Sequence, residues 1–454
     1  MLDPGAAGAG DLSGGALEPA GAAKWRTSLF LSRVGSRPEA TGRGSPMVRS
    51  RGVHALVALV AASALLASCS SGSSDAADTT AAKGAGSTTT SPADGGAGSV
   101  EAFTGTVDDF YEVPEDLPAG EPGDLIRTMP VEAEDGQTGL RIMYHSTDAE
   151  DEDRAATGLV FFPDGEAPEG GWPVLAWTHG TTGLAPQCAP SRGGGAPPSY
   201  GVEGVLVAPD YIGLGPVGEV HPYLSAAAEG HATIDAVAAA RSIPEANAGD
   251  EWVVAGVSQG GHAALVTNEQ AAERLPEAKL LGTVAMAPGA ELGQDFGDQI
   301  QIKVITTMVL MGLAEEDDSV DPADYLGPDG LAASPVITEG CVQDIIGTMA
   351  GPAGADDYFI QDPRDSATGK AWVEQNDPGQ VAGSPLLLVQ GGADTLVVPA
   401  RTDALFDRLC GIGQVTERLD VPTADHDTVV DESMDQVTAW VQARFAGGDP
   451  TDDC

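Results

Sequence analysis

Val253-Val254-Ala255-Gly256-Val257-Ser258-Gln259-Gly260-Gly261-His262-Ala263-Ala264 runs from an apolar, β-branched stretch into an alanine-rich one. The junction reads G-x-S-x-G. Small residues on both sides of Ser258 permit a sharp strand-to-helix turn that lifts the serine hydroxyl above a sheet. In a chain with 60 glycines the bare pattern can arise by chance. Its position between a strand and a helix is what makes it read as a nucleophile elbow. The competing reading is a serine that only caps the following helix.

Working outward, apolar runs recur at Ala156–Pro163, Pro173–Thr178, Gly204–Ala208, Trp252–Val257, Leu281–Ala287, Pro385–Gln390 and Val415–Val421. Helical stretches lie between several of them, at Ala226–Ser242, Gly260–Leu275, Ala400–Leu409 and Glu432–Phe445. Continuous apolar strands alternating with helices predict an α/β fold: a mostly parallel central sheet with helices on both faces. Leu140–Tyr144 is expected as an antiparallel edge strand. In such a sheet the chemistry sits in the loops after the strands.

A serine hydroxyl needs a base to take its proton. Of the seven histidines, His54 lies in the N-terminal apolar run. His145, His179, His221 and His231 precede Ser258, and His262 sits on the elbow's own helix, directed away from the hydroxyl. His426 remains, just after the last predicted strand. The α/β-hydrolase arrangement places its base there, since chain order runs Ser, acid, His. The acid should follow the penultimate strand, where Leu386–Val389 leads through Gly391-Gly392-Ala393 to Asp394. Asp394 would hold the imidazole tautomer. Asp425 and Asp427 are rivals, but direct neighbours of a histidine rarely fold back onto its ring. For the oxyanion, the expected donors are the Gln259 amide and the Thr181 amide, with Gly180 in reserve.

Acidic residues outnumber basic ones 68 to 22 over 454 residues, a formal charge of −46. Phosphate backbones are gripped by Lys and Arg, so a nucleic-acid partner is excluded. No fixed-period repeat points to a solenoid. Gly213-Leu214-Gly215-Pro216-Val217-Gly218 fits G-x-G-x-x-G but runs into Glu219-Val220-His221-Pro222 rather than a helix, so it is not a dinucleotide site. Cys188, Cys341, Cys410 and Cys454 form no CxxC or Cys/His cluster, and no metal or cofactor is expected. Their even number suggests two disulfides, with three connectivities open.

The N-terminus reads as an address. Residues 1–46 look like an extension ahead of the true initiator, Met47. Residues 47–68 carry Arg49 and Arg51, then an apolar run ending in Leu66-Ala67-Ser68-Cys69. That is a bacterial lipoprotein signal with Cys69 as the lipidated residue, in competition with an ordinary cleaved signal or an anchor helix. Residues 69–100, rich in Ser, Thr and Gly, predict a disordered tether with a reach on the order of 30 Å. The folded domain is expected over 101–446, followed by a tail, 447–454. The 136 residues between Ser258 and Asp394 are too many for one strand and helix, which predicts a mainly helical cap insertion at about 289–383. Its apolar segment Ile300–Leu313 is either a buried helix of the cap's own core or an acyl-binding wall or interfacial lid.

Several motifs together resemble the secretory lipase family of α/β-hydrolases. They are Trp177-Thr178-His179-Gly180-Thr181-Thr182-Gly183, Gln187-Cys188-Ala189-Pro190, Ala208-Pro209-Asp210-Tyr211 and His221-Pro222-Tyr223-Leu224, with the Ser258, Asp394 and His426 segments. The resemblance spans roughly residues 120–446. It implies a secreted carboxylic-ester hydrolase acting on lipophilic esters through Ser258, Asp394 and His426, with a lid. It also implies the pairings Cys188–Cys341 and Cys410–Cys454. The expected location is the outer face of a bacterial membrane, through the anchor at Cys69. An acyltransferase using the same three residues stays open, as do a non-catalytic binding lipoprotein and, more weakly, a peptidase. Oligomeric state is not readable.

Overall fold

The computed structural model describes residues 100, 102–294, 300–349 and 358–454. The expected extension, signal, Cys69 and nearly all of the tether lie outside these residues. A short helix, α1 (Val107–Phe110), precedes three antiparallel strands: β1 (Leu125–Val131), β2 (Gln137–Thr147) and β3 (Asp153–Pro163). There follow β4 (Trp172–Thr178), β5 (Val205–Pro209), α2 (Ala226–Arg241), β6 (Ala248–Val257), α3 (Gln259–Arg274) and β7 (Lys279–Met286). Four helices come next: α4 (Ile300–Glu316), α5 (Pro328–Glu339), α6 (Val342–Met349) and α7 (Ala367–Asn376). The chain closes with β8 (Leu386–Gly391), α8 (Pro399–Ile412), β9 (Thr416–Val421) and α9 (Val429–Phe445).

The nine strands form one sheet in the order β1-β2-β3-β5-β4-β6-β7-β8-β9. Every pairing from β5 to β9 is parallel. The reason lies in side-chain alternation. Trp252 and Val254 of β6 pack with residues of α2 and α3, whereas Val253 and Ala255 pack with Val437, Trp440 and Val441 of α9. A strand covered on both faces is apolar at every position, which is what the sequence shows. The chain thus has the expected α/β-hydrolase fold, with β6 near the sheet's centre.

One expectation needs correction. The strand around Leu140–Tyr144 is not at the edge, because β1 pairs along its outer side from Leu125 to Val131. β1 reads Leu-Ile-Arg-Thr-Met-Pro-Val and is covered incompletely, so it lacks the apolar signature of the interior strands. Proline is tolerated there because an edge strand leaves one row of N–H groups unused.

The insertion between β7 and β8 has its own core. Val304, Met308, Leu310 and Leu313 of α4 pack with Ile337, Ile345 and Trp372, and also with Leu184, Tyr223 and Leu224 of the main domain. Next to this core α4 helps to line a small apolar cavity with Leu224, Leu292, Ile305, Val309, Leu313 and Trp372. The packing of Ile300–Leu313 matches its reading as part of the cap's own core. Among the described residues no helix is long and apolar enough to cross a membrane.

Candidate active site

β6 ends at Val257, and α3 begins at Gln259, with no residue to spare for the turn. Ser258 absorbs the reversal at φ 58°, ψ −117°, a conformation that L residues rarely adopt. The flanking glycines follow from sterics. A Cβ on Gly256 would lie 2.0 Å from the Thr178 hydroxyl oxygen, and one on Gly260 would lie 2.0 Å from the Thr178 carbonyl oxygen. The turn is held by its neighbours. Ser258 N–H donates to Met286 O at 2.9 Å, Gly289 N–H donates to Ser258 O at 2.9 Å, and the Thr178 hydroxyl donates to Gly260 O at 2.7 Å.

Two loops from the far end of the sheet meet this turn. His426 Nε2 lies 3.0 Å from Ser258 Oγ, and His426 Nδ1 lies 2.7 Å from Asp394 Oδ2. Asp394 is buried, and its Oδ1 accepts the N–H groups of Leu396 (2.8 Å) and Val397 (2.9 Å). A carboxylate oxygen can only accept, so Nδ1 carries the imidazole proton and Nε2 turns its lone pair toward the serine hydroxyl. The three residues picked from the sequence are therefore in one hydrogen-bonded row. Asp425 is engaged elsewhere: its Oδ1 accepts the N–H groups of Asp427 and Thr428. Asp427 is half-buried, and burial pushes its carboxyl up to about 7.

Of the expected oxyanion donors, Gln259 directly follows Ser258 and Gly180 lies beside it. Gln259 is the first residue of α3, so its N–H has no partner within the helix. Gly180 runs against the elbow; a Cβ built on it would sit 3.9 Å from Ser258 Cβ. His179 Nδ1 donates to Gly180 O at 2.7 Å. That carbonyl and the Thr181 N–H belong to one planar peptide and point oppositely, so the histidine fixes the direction of the Thr181 amide. His179 is buried against the Tyr211 ring, 4.3 Å between centroids, and burial lowers its pKa to about 4. It holds the loop as a neutral ring. The Thr181 and Tyr223 hydroxyls meet at 2.6 Å. The sequence reading missed Tyr223 as a support for this loop; its motif had been noted only for resemblance.

The cap is seamed to the same loop. Cys188 is bonded to Cys341, Val342 N–H donates to Thr182 O at 2.8 Å, and Gly183 bridges Cys341. Cys410 is bonded to Cys454, fixing the C-terminal tail beside β9. The first bond closes a span of 153 residues, and cross-links over long loops restrict the unfolded chain most. Replacing Cys188 and Cys341 together by serine should cost about 3–5 kcal/mol. The expected readout is a lower melting temperature; unchanged melting would contradict it.

Among the described residues no group of three His, Cys, Asp or Glu could hold a metal. Comparison with known proteins adds the following. The family model described as Secretory lipase matches residues 201–453. No curated protein matches the chain. Among solved structures, it is similar to lipase A of Candida antarctica in its closed state, with TM-score 0.63 and 16% identity over 76% of this chain and 87% of that one. It is also similar to the rice cell wall degrading esterase LipA of Xanthomonas oryzae, with TM-score 0.61 and 20% identity over 72% and 99%. At such identities the two structures speak to the fold alone.

Proposed function

The chain belongs to the secretory lipase family and is a carboxylic-ester hydrolase of the lipase type, and from that premise we propose that it cleaves lipophilic esters, acylglycerols among them, through a covalent acyl-enzyme on Ser258. Ser258 Oγ attacks the ester carbonyl carbon while His426 Nε2 takes its proton. The carbonyl oxygen, now negative, is held by the Gln259 and Thr181 amides, with Gly180 as the alternative donor. The tetrahedral centre collapses, and His426 returns the proton to the departing alcohol oxygen. Water repeats the sequence, with His426 again as base, and releases the acid. Asp394 keeps the imidazole in the required tautomer and stabilises the imidazolium in both halves.

The observation that carries this reading is the unbroken row from Asp394 through His426 to Ser258, closed across 168 residues of sequence. The family and the two disulfides point to an extracellular protein. The lipobox supports the further proposal that Cys69 carries a lipid anchor. Reaction with a fluorophosphonate, followed by peptide mapping, should place the label on Ser258, and p-nitrophenyl esters of graded length should be hydrolysed. An unlabelled Ser258 in active protein would sink the mechanism. Anchoring is tested separately, since Cys69→Ala should move the enzyme from membrane to medium.

A further inference from the structure

Beneath the elbow lies a polar cluster that hydrolysis as described does not use. Glu229 on α2, His262 on α3 and His221 in the preceding loop are fully buried, and Gln259 is 1% exposed. Its protons can be placed from its acceptors. Glu229 Oε1 receives the Gln259 side-chain amide at 2.8 Å and Leu224 N–H at 3.1 Å, and Oε2 faces His262 Nδ1 at 2.5 Å. The two N–H groups converging on Oε1 favour the ionised form of the carboxyl. His262 Nε2 lies 2.8 Å from Asn376 O at the end of α7. With an ionised carboxylate on one side and a peptide carbonyl on the other, both ring nitrogens of His262 must donate. The ring is an imidazolium. His221 differs: its Nδ1 donates to Ile212 O at 2.8 Å, leaving Nε2 to accept the other proton of the Gln259 amide at 2.7 Å.

The charges agree with this placement. Burial raises the Glu229 carboxyl, but the charge and hydrogen bond of His262 act against it, and the carboxyl lies below its ordinary value. Burial lowers His262, but Glu229, the Asn376 carbonyl and Asp377 outweigh that and leave it above its ordinary value.

We propose that Glu229 and His262 are positioning residues for ester hydrolysis, an ion pair that fixes Gln259 at the elbow and, through the second imidazolium proton, seats the end of α7 on the elbow helix. The proposal rests on the reading of Ser258 as nucleophile and of the Gln259 amide as oxyanion donor. The Gln259 side chain is tied to two other elements, the α2 carboxylate and the His221 ring, and these ties add to the hold that the Gly289 and His262 N–H groups exert on the Gln259 amide through Ser258 O. Loss of the Glu229 charge leaves a buried imidazolium uncompensated and frees one of those ties. A small displacement of an oxyanion donor is costly because the donor must meet the transition-state oxygen, not the ground-state one.

The test has a spectroscopic and a kinetic arm. In protein labelled with nitrogen-15 histidine, the His262 signals, identified by their loss in His262→Asn, should report both ring nitrogens protonated at pH 7. A neutral ring would overturn the proposal, whatever the variants do. Glu229→Gln should lower both kcat for p-nitrophenyl butyrate and the rate of fluorophosphonate labelling about 10–100-fold, with KM within about 3-fold. A cooperatively melting Glu229→Gln protein with kcat within about 2-fold of wild type would reduce the pair to a structural contact and overturn it. If that variant does not fold, Glu229→Gln combined with His262→Asn removes both charges and carries the same kinetic expectation. A wild-type protein that is never labelled at Ser258 would sink the underlying mechanism instead. Wild type and variant labelled equally fast would sink only this inference.

Discussion

Ser258→Ala lowers kcat/KM for p-nitrophenyl esters by roughly 10⁴–10⁶ while the protein still folds and still binds substrate. The size follows from the chemistry assigned to one atom. Without Oγ there is no acyl-enzyme, and water must attack directly. The residual rate is what bound substrate and the amides of Gln259 and Thr181 supply, on the order of 10³ over water. Stability should hardly change. Alanine has the same Cβ as serine, so φ 58° at residue 258 costs it as much. The backbone bonds from Ser258 to Met286 O and from Gly289 also survive. Retention of more than about 1% of activity, after ruling out wild-type contamination, would mean that the hydroxyl is not the nucleophile. Ser258→Gly separates the two properties: it should be equally inactive, yet more stable by about 1 kcal/mol, because glycine adopts positive φ without strain.

Sequence and structure agree best where physics leaves few alternatives. Interior strands were legible because burial on both faces makes every position apolar, as in β6 and β8. β1 was not, because an edge strand with Arg127, Thr128 and Pro130 looks like a loop. The elbow was legible because a turn this tight excludes side chains at Gly256 and Gly260. Asp394 and His426 were found by their place after successive strands, not by residue type, since the chain holds 68 acids. The Glu229 cluster escaped for that reason. It joins residues from α2, α3, the His221 loop and α7, and no local spacing connects them. One signal was available: α2 carries Glu229, His231 and Asp235 in an otherwise alanine-rich helix, and a helix buried nearly all round must satisfy each polar group internally. The α4 segment leaves its readings open because a helix this apolar around most of its circumference does not announce which side faces a cavity.

Asp394→Asn is the sharper test of the row, because it changes a proton's place and almost no atoms. The asparagine oxygen can keep the N–H groups of Leu396 and Val397 that Asp394 Oδ1 accepts. Its amide nitrogen then faces His426 Nδ1, where Oδ2 had been. A donor there forces Nδ1 to accept and puts the ring proton on Nε2, aimed at Ser258 Oγ instead of ready to receive from it. The expected loss in kcat is about 10⁴ with KM little changed. The neighbouring carboxyls cannot substitute. Asp425 is occupied as the acceptor for Asp427 and Thr428 N–H. Asp427 is raised to about 7, chiefly by burial, so near neutral pH a substantial share of it carries a proton. As pH rises through about 7 it ionises and adds a negative charge beside His426, which favours the imidazolium of the transition state. Wild type should therefore gain a modest extra rise in rate across that range that Asp427→Asn lacks, and Asp427→Asn should stay within about 3-fold of wild type at pH 6. If instead Asp427→Asn cost 10³ and Asp394→Asn cost less than 10-fold, the orienting acid would be the neighbour, and the imidazole would have to turn its other edge to the serine.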